Sequence, residues 1–113
     1  MKPQELSNTV WAYATLGLEL GAKARAVLDA AVVRVAPDMN AQDTANTLWS
    51  VATLGLMPGV AEWAALEAAV VRVGPGMNAQ NVANTVLALA KLGVMPRAAA
   101  WTALEAAVVQ DCR

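Results

Sequence analysis

The sequence predicts an all-α fold, a right-handed α-solenoid of three stacked helix-turn-helix hairpins. The main observation is that the chain matches itself when it is shifted by about 38 residues. The coinciding residues are Met1/Met39/Met77, Asn8/Asn46/Asn84 and the Leu-Gly pairs at 16–17, 54–55 and 92–93. A period of about 20 to 50 residues is typical of solenoids, in which each unit buries its apolar face against its neighbours. We therefore expect one domain over residues 1–113, with repeats 1–38, 39–76 and 77–113.

The first helix of the central repeat is predicted over about Ala41 to Leu54. Asn40 is a favourable N-cap, and Asp43 puts a negative charge in the first turn, where it suits the helix dipole. Gly55 suits the left-handed conformation that commonly ends a helix. Both ends of this helix are therefore encoded by residues next to them in the sequence.

The second helix of the central repeat is predicted to start after Met57-Pro58 and to run to about Val73. Proline is tolerated in the first turn of a helix, and Gly74-Pro75-Gly76 prevents the helix from continuing. Its heavy apolar stripe and alanine-rich back predict that the helix packs on several sides. Helices of about 14 residues are marginal alone, so the hairpins have to stack for stability.

The polar side of each first helix is the predicted binding surface. At about 100° per residue, amide and hydroxyl side chains fall opposite an apolar side, and we expect them to line an inner groove. Its candidate residues are the equivalent sets Glu5/Asp43/Asn81, Asn8/Asn46/Asn84, Ala12/Ser50/Ala88 and Thr15/Thr53/Lys91. The Asn set is constant and the other three vary, as expected of a surface with a fixed scaffold and variable reading positions. Drift on an exposed surface, or amides that bridge repeats, would give the same pattern.

The tryptophans are predicted to be packed rather than to bind a ligand. Trp11 and Trp49 could stack on bases, but they lie at the edge of the polar side and Leu87 replaces them in the third repeat. Trp63 and Trp101, at the front of the second helix, are predicted core residues.

Composition argues against catalysis and against strong electrostatic binding. The chain has no histidine and a single cysteine, Cys112, and it shows no phosphate loop or metal-ligand spacing. We therefore expect no enzyme activity, no cofactor, no metal and no small-molecule substrate. No apolar run is long enough to span a membrane, and we recognise no targeting peptide within these residues. The formal net charge is −1, whereas domains that bind phosphates are usually basic.

Three stretches carry a family resemblance: residues 6–17, residues 42–55 with Pro58, and residues 80–93 with Pro96. Each holds an Asn-Thr pair and ends in Leu-Gly, and the first copy departs from the others with Leu20 in place of proline. These copies resemble octotricopeptide repeats, helical hairpins named for a unit of this length. The resemblance covers essentially the whole chain. It implies sequence-specific RNA binding in chloroplasts or mitochondria, serving maturation, stability or translation of particular transcripts.

The predicted function is a single-stranded RNA-binding module that reads about one base per repeat through the polar face. The alternative is a protein- or peptide-binding scaffold, in which a ladder of Asn side chains holds an extended peptide without positive charge. Net charge favours the peptide, and the family resemblance favours RNA. End-to-end self-association through the exposed ends of the array stays open beside both.

Overall fold

The computed structural model describes residues 2–17 and 21–111, and these residues form an all-α fold. Their six α-helices are α1 (Pro3–Leu16), α2 (Ala22–Val35), α3 (Ala41–Thr53), α4 (Val60–Val73), α5 (Ala79–Leu92) and α6 (Ala98–Asp111). Single 3₁₀ turns at Ala36–Asp38 and Gly74–Gly76 follow α2 and α4. None of these six helices is long and apolar enough to cross a lipid bilayer. Met1, Leu20 and Cys112, which the sequence analysis discusses, lie outside the described residues.

The predicted ends of the two central helices are confirmed to within a few residues. Asn40 is the N-cap of α3, and its Oδ1 accepts the backbone N–H of Asp43 at 2.7 Å. The helix ends at Thr53, and Gly55 takes the left-handed conformation with φ of 72°. The second helix, α4, ends at Val73 as predicted. These boundaries follow from local capping and turn chemistry, which is why the sequence predicts them.

The helices lie in two layers. In the first layer α3 packs against both α1 and α5, and in the second layer α4 packs against both α2 and α6. The two helices of each successive pair also contact each other, so each pair joins the layers. The core between the layers contains large apolar side chains that are almost fully buried, among them Leu6, Val32, Leu48, Leu66 and Leu104. The whole is elongated, at 43 × 26 × 25 Å.

The middle pair differs from the sequence-based picture in one respect. The helix α4 packs against α2, α3 and α6, but its alanine-rich back is not covered, because Ala61, Ala64 and Ala68 are exposed. Its carboxylates Glu62 and Glu67 are instead buried against the neighbouring helices. Buried carboxylates need specific partners, and those partners are described below.

Candidate functional site

An open cavity of about 480 Å³ runs across the three helices of the first layer. We call it the amide groove, and its lining residues are Asn8, Trp11, Gln42, Asn46, Trp49, Gln80 and Asn84. On α3 the lining residues are spaced by four and then three positions, so they form one stripe along the helix. Every side chain in this lining is uncharged, and five of the seven are amides.

Two tryptophans form the aromatic end of the amide groove. The rings of Trp11 and Trp49 stack with their centroids 6.1 Å apart and their planes at 29°. Trp11 is 43 % exposed and Trp49 is half-buried, so the prediction that they are packed away from ligands is wrong for Trp11. In α5 the equivalent residue, Leu87, is also exposed and continues the apolar row. Trp101, predicted as core, is exposed too, whereas Trp63 packs against the core.

The structure brings together one of the four predicted sets in the groove lining itself. Asn8, Asn46 and Asn84 all line the amide groove, the first exposed and the other two half-buried. An amide carries both donors and an acceptor, so the row can pair with the edge of a base or with a peptide backbone. What agrees with the prediction is the position of these three side chains.

The set Thr15/Thr53/Lys91 continues the same stripe by one further turn, beyond the cavity lining. Thr15 and Lys91 are exposed, and Thr53 is half-buried. The Thr53 Oγ1 atom is buried and has no hydrogen-bond partner among the described residues. Of this set, Lys91 offers a positive charge to a ligand that extends past the tryptophans.

The set Glu5/Asp43/Asn81 serves the helix ends. A Glu5 Oε1 atom accepts the backbone N–H of Lys2 at 2.8 Å, and Asp43 makes the matching contact with Asn40 at 3.4 Å. Asn81 donates its backbone N–H to the side chain of Asn78. The prediction that these variable residues share an open groove face is therefore wrong for Asp43, which is buried at the start of α3. The side chains of Glu5 and Asp43 therefore cap their helices, whereas the contact of Asn81 is made by its backbone.

The set Ala12/Ser50/Ala88 also lies off the groove. Ser50 and Ala88 are fully buried, because neighbouring helices in the first layer cover that side of α3 and α5. Ser50 satisfies its hydroxyl by donating to the carbonyl oxygen of Asn46 at 2.6 Å. Ala12 is exposed, since no described helix covers that side of α1. The expectation that this set reads a ligand in the groove is wrong for Ser50 and Ala88.

The sequence places Gln42 and Gln80 on the polar side and Trp49 at its edge, but neither the glutamines nor the tryptophan pair were among the candidate binding residues. The predicted polar side combined amide and hydroxyl side chains. The small hydroxyl side chains, however, are buried where helices approach closely. A stripe at Gln42, Asn46 and Trp49 would have emerged from treating Ser and Thr as packing residues. The sequence contains this stripe, but recognising it requires the positions of the neighbouring helices.

The buried carboxylates of the second layer connect successive repeats. Glu67 accepts the backbone N–H of Arg97 at 2.7 Å and pairs with the Arg97 guanidinium at 2.6 Å. Glu62 faces Asp29, which also pairs with Arg25 at 3.9 Å. Burial, a hydrogen bond with Asp29 and the charge of Asp29 raise the pKa of Glu62 from 4.5 to about 8, against an opposing effect of Arg25.

Another cross-repeat contact uses backbone acceptors. The Arg72 guanidinium donates to the carbonyl oxygens of Ala36 and Met39, both at 2.9 Å. None of these charged residues lines the amide groove. They hold repeats together, while the groove residues remain available to a ligand.

Comparison with protein families, curated proteins and solved structures finds no match to this chain. The groove therefore has to be interpreted from its own chemistry. It offers ring faces for stacking and a row of amides for hydrogen bonding. Within residues 2–17 and 21–111, no group of three or more His, Cys, Asp or Glu side chains is placed to hold a metal ion.

Proposed function

We propose that this chain is a single-stranded RNA-binding module, an α-solenoid of three stacked hairpins that belongs with octotricopeptide repeats. The ligand site is the amide groove, with about one base bound per repeat. The observation that carries this proposal is the stacked Trp11–Trp49 pair at the end of a row of uncharged amides. On the resemblance alone, the module would act in a chloroplast or mitochondrion, in RNA maturation, stability or translation.

Stacking supplies the main part of the binding energy. A base stacked on an aromatic side chain contributes about 1–3 kcal/mol and tolerates any sequence, because every base has a π-face. Trp11 presents an exposed ring, and Leu87 adds an apolar surface in the third repeat. The aromatic surface of the groove therefore comes from the first two repeats, and the third contributes an aliphatic side chain beside the groove lining.

Amides supply the sequence preference. Single-stranded RNA is recognised through hydrogen bonds to the edges of unstacked bases. Asn8, Asn46 and Asn84 are the same residue in the three repeats, so they set a common mode of contact. The differences Thr15/Thr53/Lys91 lie about two helical turns beyond them and are the variable positions that remain on the stripe.

The charge of the groove predicts how strongly RNA affinity depends on salt. Affinity for single strands falls with salt at a slope of about −0.7 for each phosphate that the protein neutralises. The groove lining is uncharged, and Lys91 is the cation on its continuing stripe. We therefore expect a slope of about −0.7 rather than the steep dependence of basic RNA-binding domains.

The test is fluorescence anisotropy with randomised single-stranded RNA at low and moderate salt. Trp49→Ala is expected to weaken binding about tenfold, since a lost stacking contact of about 1.4 kcal/mol corresponds to that factor. Asn46→Ala is expected to weaken binding less and to change base preference. Trp101→Ala is the matched control, because Trp101 is an exposed tryptophan outside the amide groove.

Absence of RNA binding at low salt, or equal affinity of the Trp49 variant and the wild type, would contradict the proposal. The uncharged amide row also favours a second candidate, an extended peptide held by its backbone. A random peptide library bound by the wild type and lost in Asn46→Ala, together with no RNA binding, would establish that alternative.

A further inference from the structure

Equivalent side chains of the first layer differ in burial according to the repeat that they occupy. Ser7 and Ala45 are buried, whereas Ala83, at the same position in α5, is exposed. Within the described residues, α1 and α3 are each followed by another helix of their layer, and α5 is not. This side of each helix therefore faces the following repeat.

The opposite side of the same helices shows the reverse pattern. Thr47 and Thr85 are fully buried, whereas Thr9 in α1 is exposed. This side therefore faces the preceding repeat. Next to it, α1 and α2 border an open, mostly apolar cavity of about 660 Å³ whose lining includes Val27 and Leu28. Val27 is 67 % exposed.

The second layer follows the same rule. Val32 and Val70 are buried by the following repeat, whereas Val108, their equivalent in α6, is 43 % exposed. Trp63 packs against the core, whereas Trp101 is exposed. The faces of α5 and α6 that correspond to these buried positions are therefore uncovered, whereas the equivalent faces of the two earlier helix pairs are each covered by the next pair.

Polar groups on the two exposed faces occupy the positions that are equivalent to the contact between α4 and α6. Inside the chain, Glu67 accepts the N–H of Arg97 at the start of α6. Glu105, the residue of α6 equivalent to Glu67, is exposed. Gly21, equivalent to Arg97, is the N-cap of α2 and has no side-chain cap, and exposed Lys23 lies in the first turn of that helix. A carboxylate is stabilised at such a helix start.

We propose that a second copy of this chain docks head to tail on the first. The helices α1 and α2 of one copy cover α5 and α6 of the other, with Val27 and Val108 in the buried interface. Glu105 of one copy accepts the N–H of Gly21 in the other, as Glu67 does for Arg97. This contact joins two different faces, so it extends into chains of copies rather than closing as a symmetric dimer.

Sedimentation velocity over a concentration series measures this directly. The wild-type chain is expected to rise from the 11.7 kDa of one copy to the mass of two and more copies as concentration increases. Val27→Glu and Val108→Glu, each of which places a charge in the interface, are both expected to stay at the mass of one copy. Val60→Glu is the matched control, because Val60 is 89 % exposed and lies on neither face.

Mixing the two interface variants gives the sharpest result. Each variant keeps one intact face, so an equimolar mixture is expected to form a species of two copies that neither variant forms alone. Circular dichroism of each variant confirms retained helix content. A wild type that stays at one copy throughout the series overturns the proposal, as does a mixture without the two-copy species.

Discussion

Two joints connect the helices of the second layer, one between α2 and α4 and one between α4 and α6. Both have a carboxylate at the same position, but the partners of that carboxylate differ. In the second joint, Glu67 meets a helix N-terminus and the Arg97 guanidinium. In the first joint, Asp29 faces another carboxyl, that of Glu62. The second joint has Ala100 where the first has Glu62. The same kind of helix contact therefore accommodates both an ion pair and a contact between two carboxyl groups.

The difference teaches that the repeat specifies where a polar contact lies and leaves its chemistry to two or three residues. Both joints bury apolar side chains, with Leu66 and Leu104 at equivalent positions and almost fully buried. The apolar part keeps the repeats stacked, and the polar part sets how stability responds to pH. Predictions that alter one joint and leave the other intact test this separation.

The largest expected effect concerns the first joint. Glu62 has a pKa of about 8 in the folded chain and 4.5 ordinarily. Below pH 4.5 both the folded and the unfolded chain hold the proton, so the free energy of unfolding is highest with respect to this group. As pH rises to about 8 the unfolded chain releases the proton first, so the free energy of unfolding falls, and it levels off above that pH.

Glu62→Gln tests this pH dependence. A Gln side chain donates to Asp29 as the protonated acid does, so the variant is expected to match the wild type near pH 4.5. Above pH 8 it is expected to be more stable, by an amount on the order of 3 kcal/mol. Urea unfolding followed by circular dichroism at a series of pH values measures it, and parallel curves for the two proteins would contradict the prediction.

The next largest effect concerns the second joint. Glu67→Ala leaves the Arg97 N–H and guanidinium without their buried acceptor, and we expect a loss of about 2 kcal/mol in the free energy of unfolding. Glu105→Ala, the exposed equivalent in α6, is the matched control and is expected to change stability by less than about 0.5 kcal/mol in dilute protein. Equal losses in both variants would mean that the contact with Arg97 contributes nothing specific.

Elements that depend on neighbouring residues in the chain were predictable. Asn40 starts α3, and Gly55 ends it with a left-handed backbone, as their chemistry requires. Tertiary position was not encoded in the same local way. Ser50 is polar, yet it is fully buried because a small side chain lets two helices approach and its hydroxyl bonds to its own helix.

The candidate groove was predictable only in part for the same reason. The Asn46 position follows from amphipathicity, whereas the partial burial of Trp49 and the full burial of Ser50 depend on where α1 and α5 sit beside α3. A helical wheel shows which residues share a side of one helix, but not which side a neighbouring helix covers. Likewise, the buried position of Glu62 follows from its contact with α2, which a sequence pattern along α4 alone does not contain.

The smallest expected effect comes from converting the first joint towards the second. Gly59 is the position equivalent to Arg97, and a Cβ atom added there meets nothing within 4 Å and needs no unusual backbone, since its φ is −69°. Gly59→Arg brings a cation towards Asp29 and Glu62, so ionised Glu62 becomes less unfavourable. We expect a gain of about 1 kcal/mol above pH 8, and a fall in stability that is displaced to lower pH.

Gly59→Ala is the control for this conversion, because it restricts the unfolded backbone without adding charge. Its gain is expected to be the same at pH 5 and at pH 9, whereas the additional gain of the Arg variant is expected at pH 9. If the two variants have identical pH profiles, the joints differ in backbone geometry as well as in side chains. A displaced profile in Gly59→Arg alone would show that residue identity accounts for the contrast between the joints, because an Arg at this position then acts on Asp29 across the first joint as Arg97 acts on Glu67 across the second.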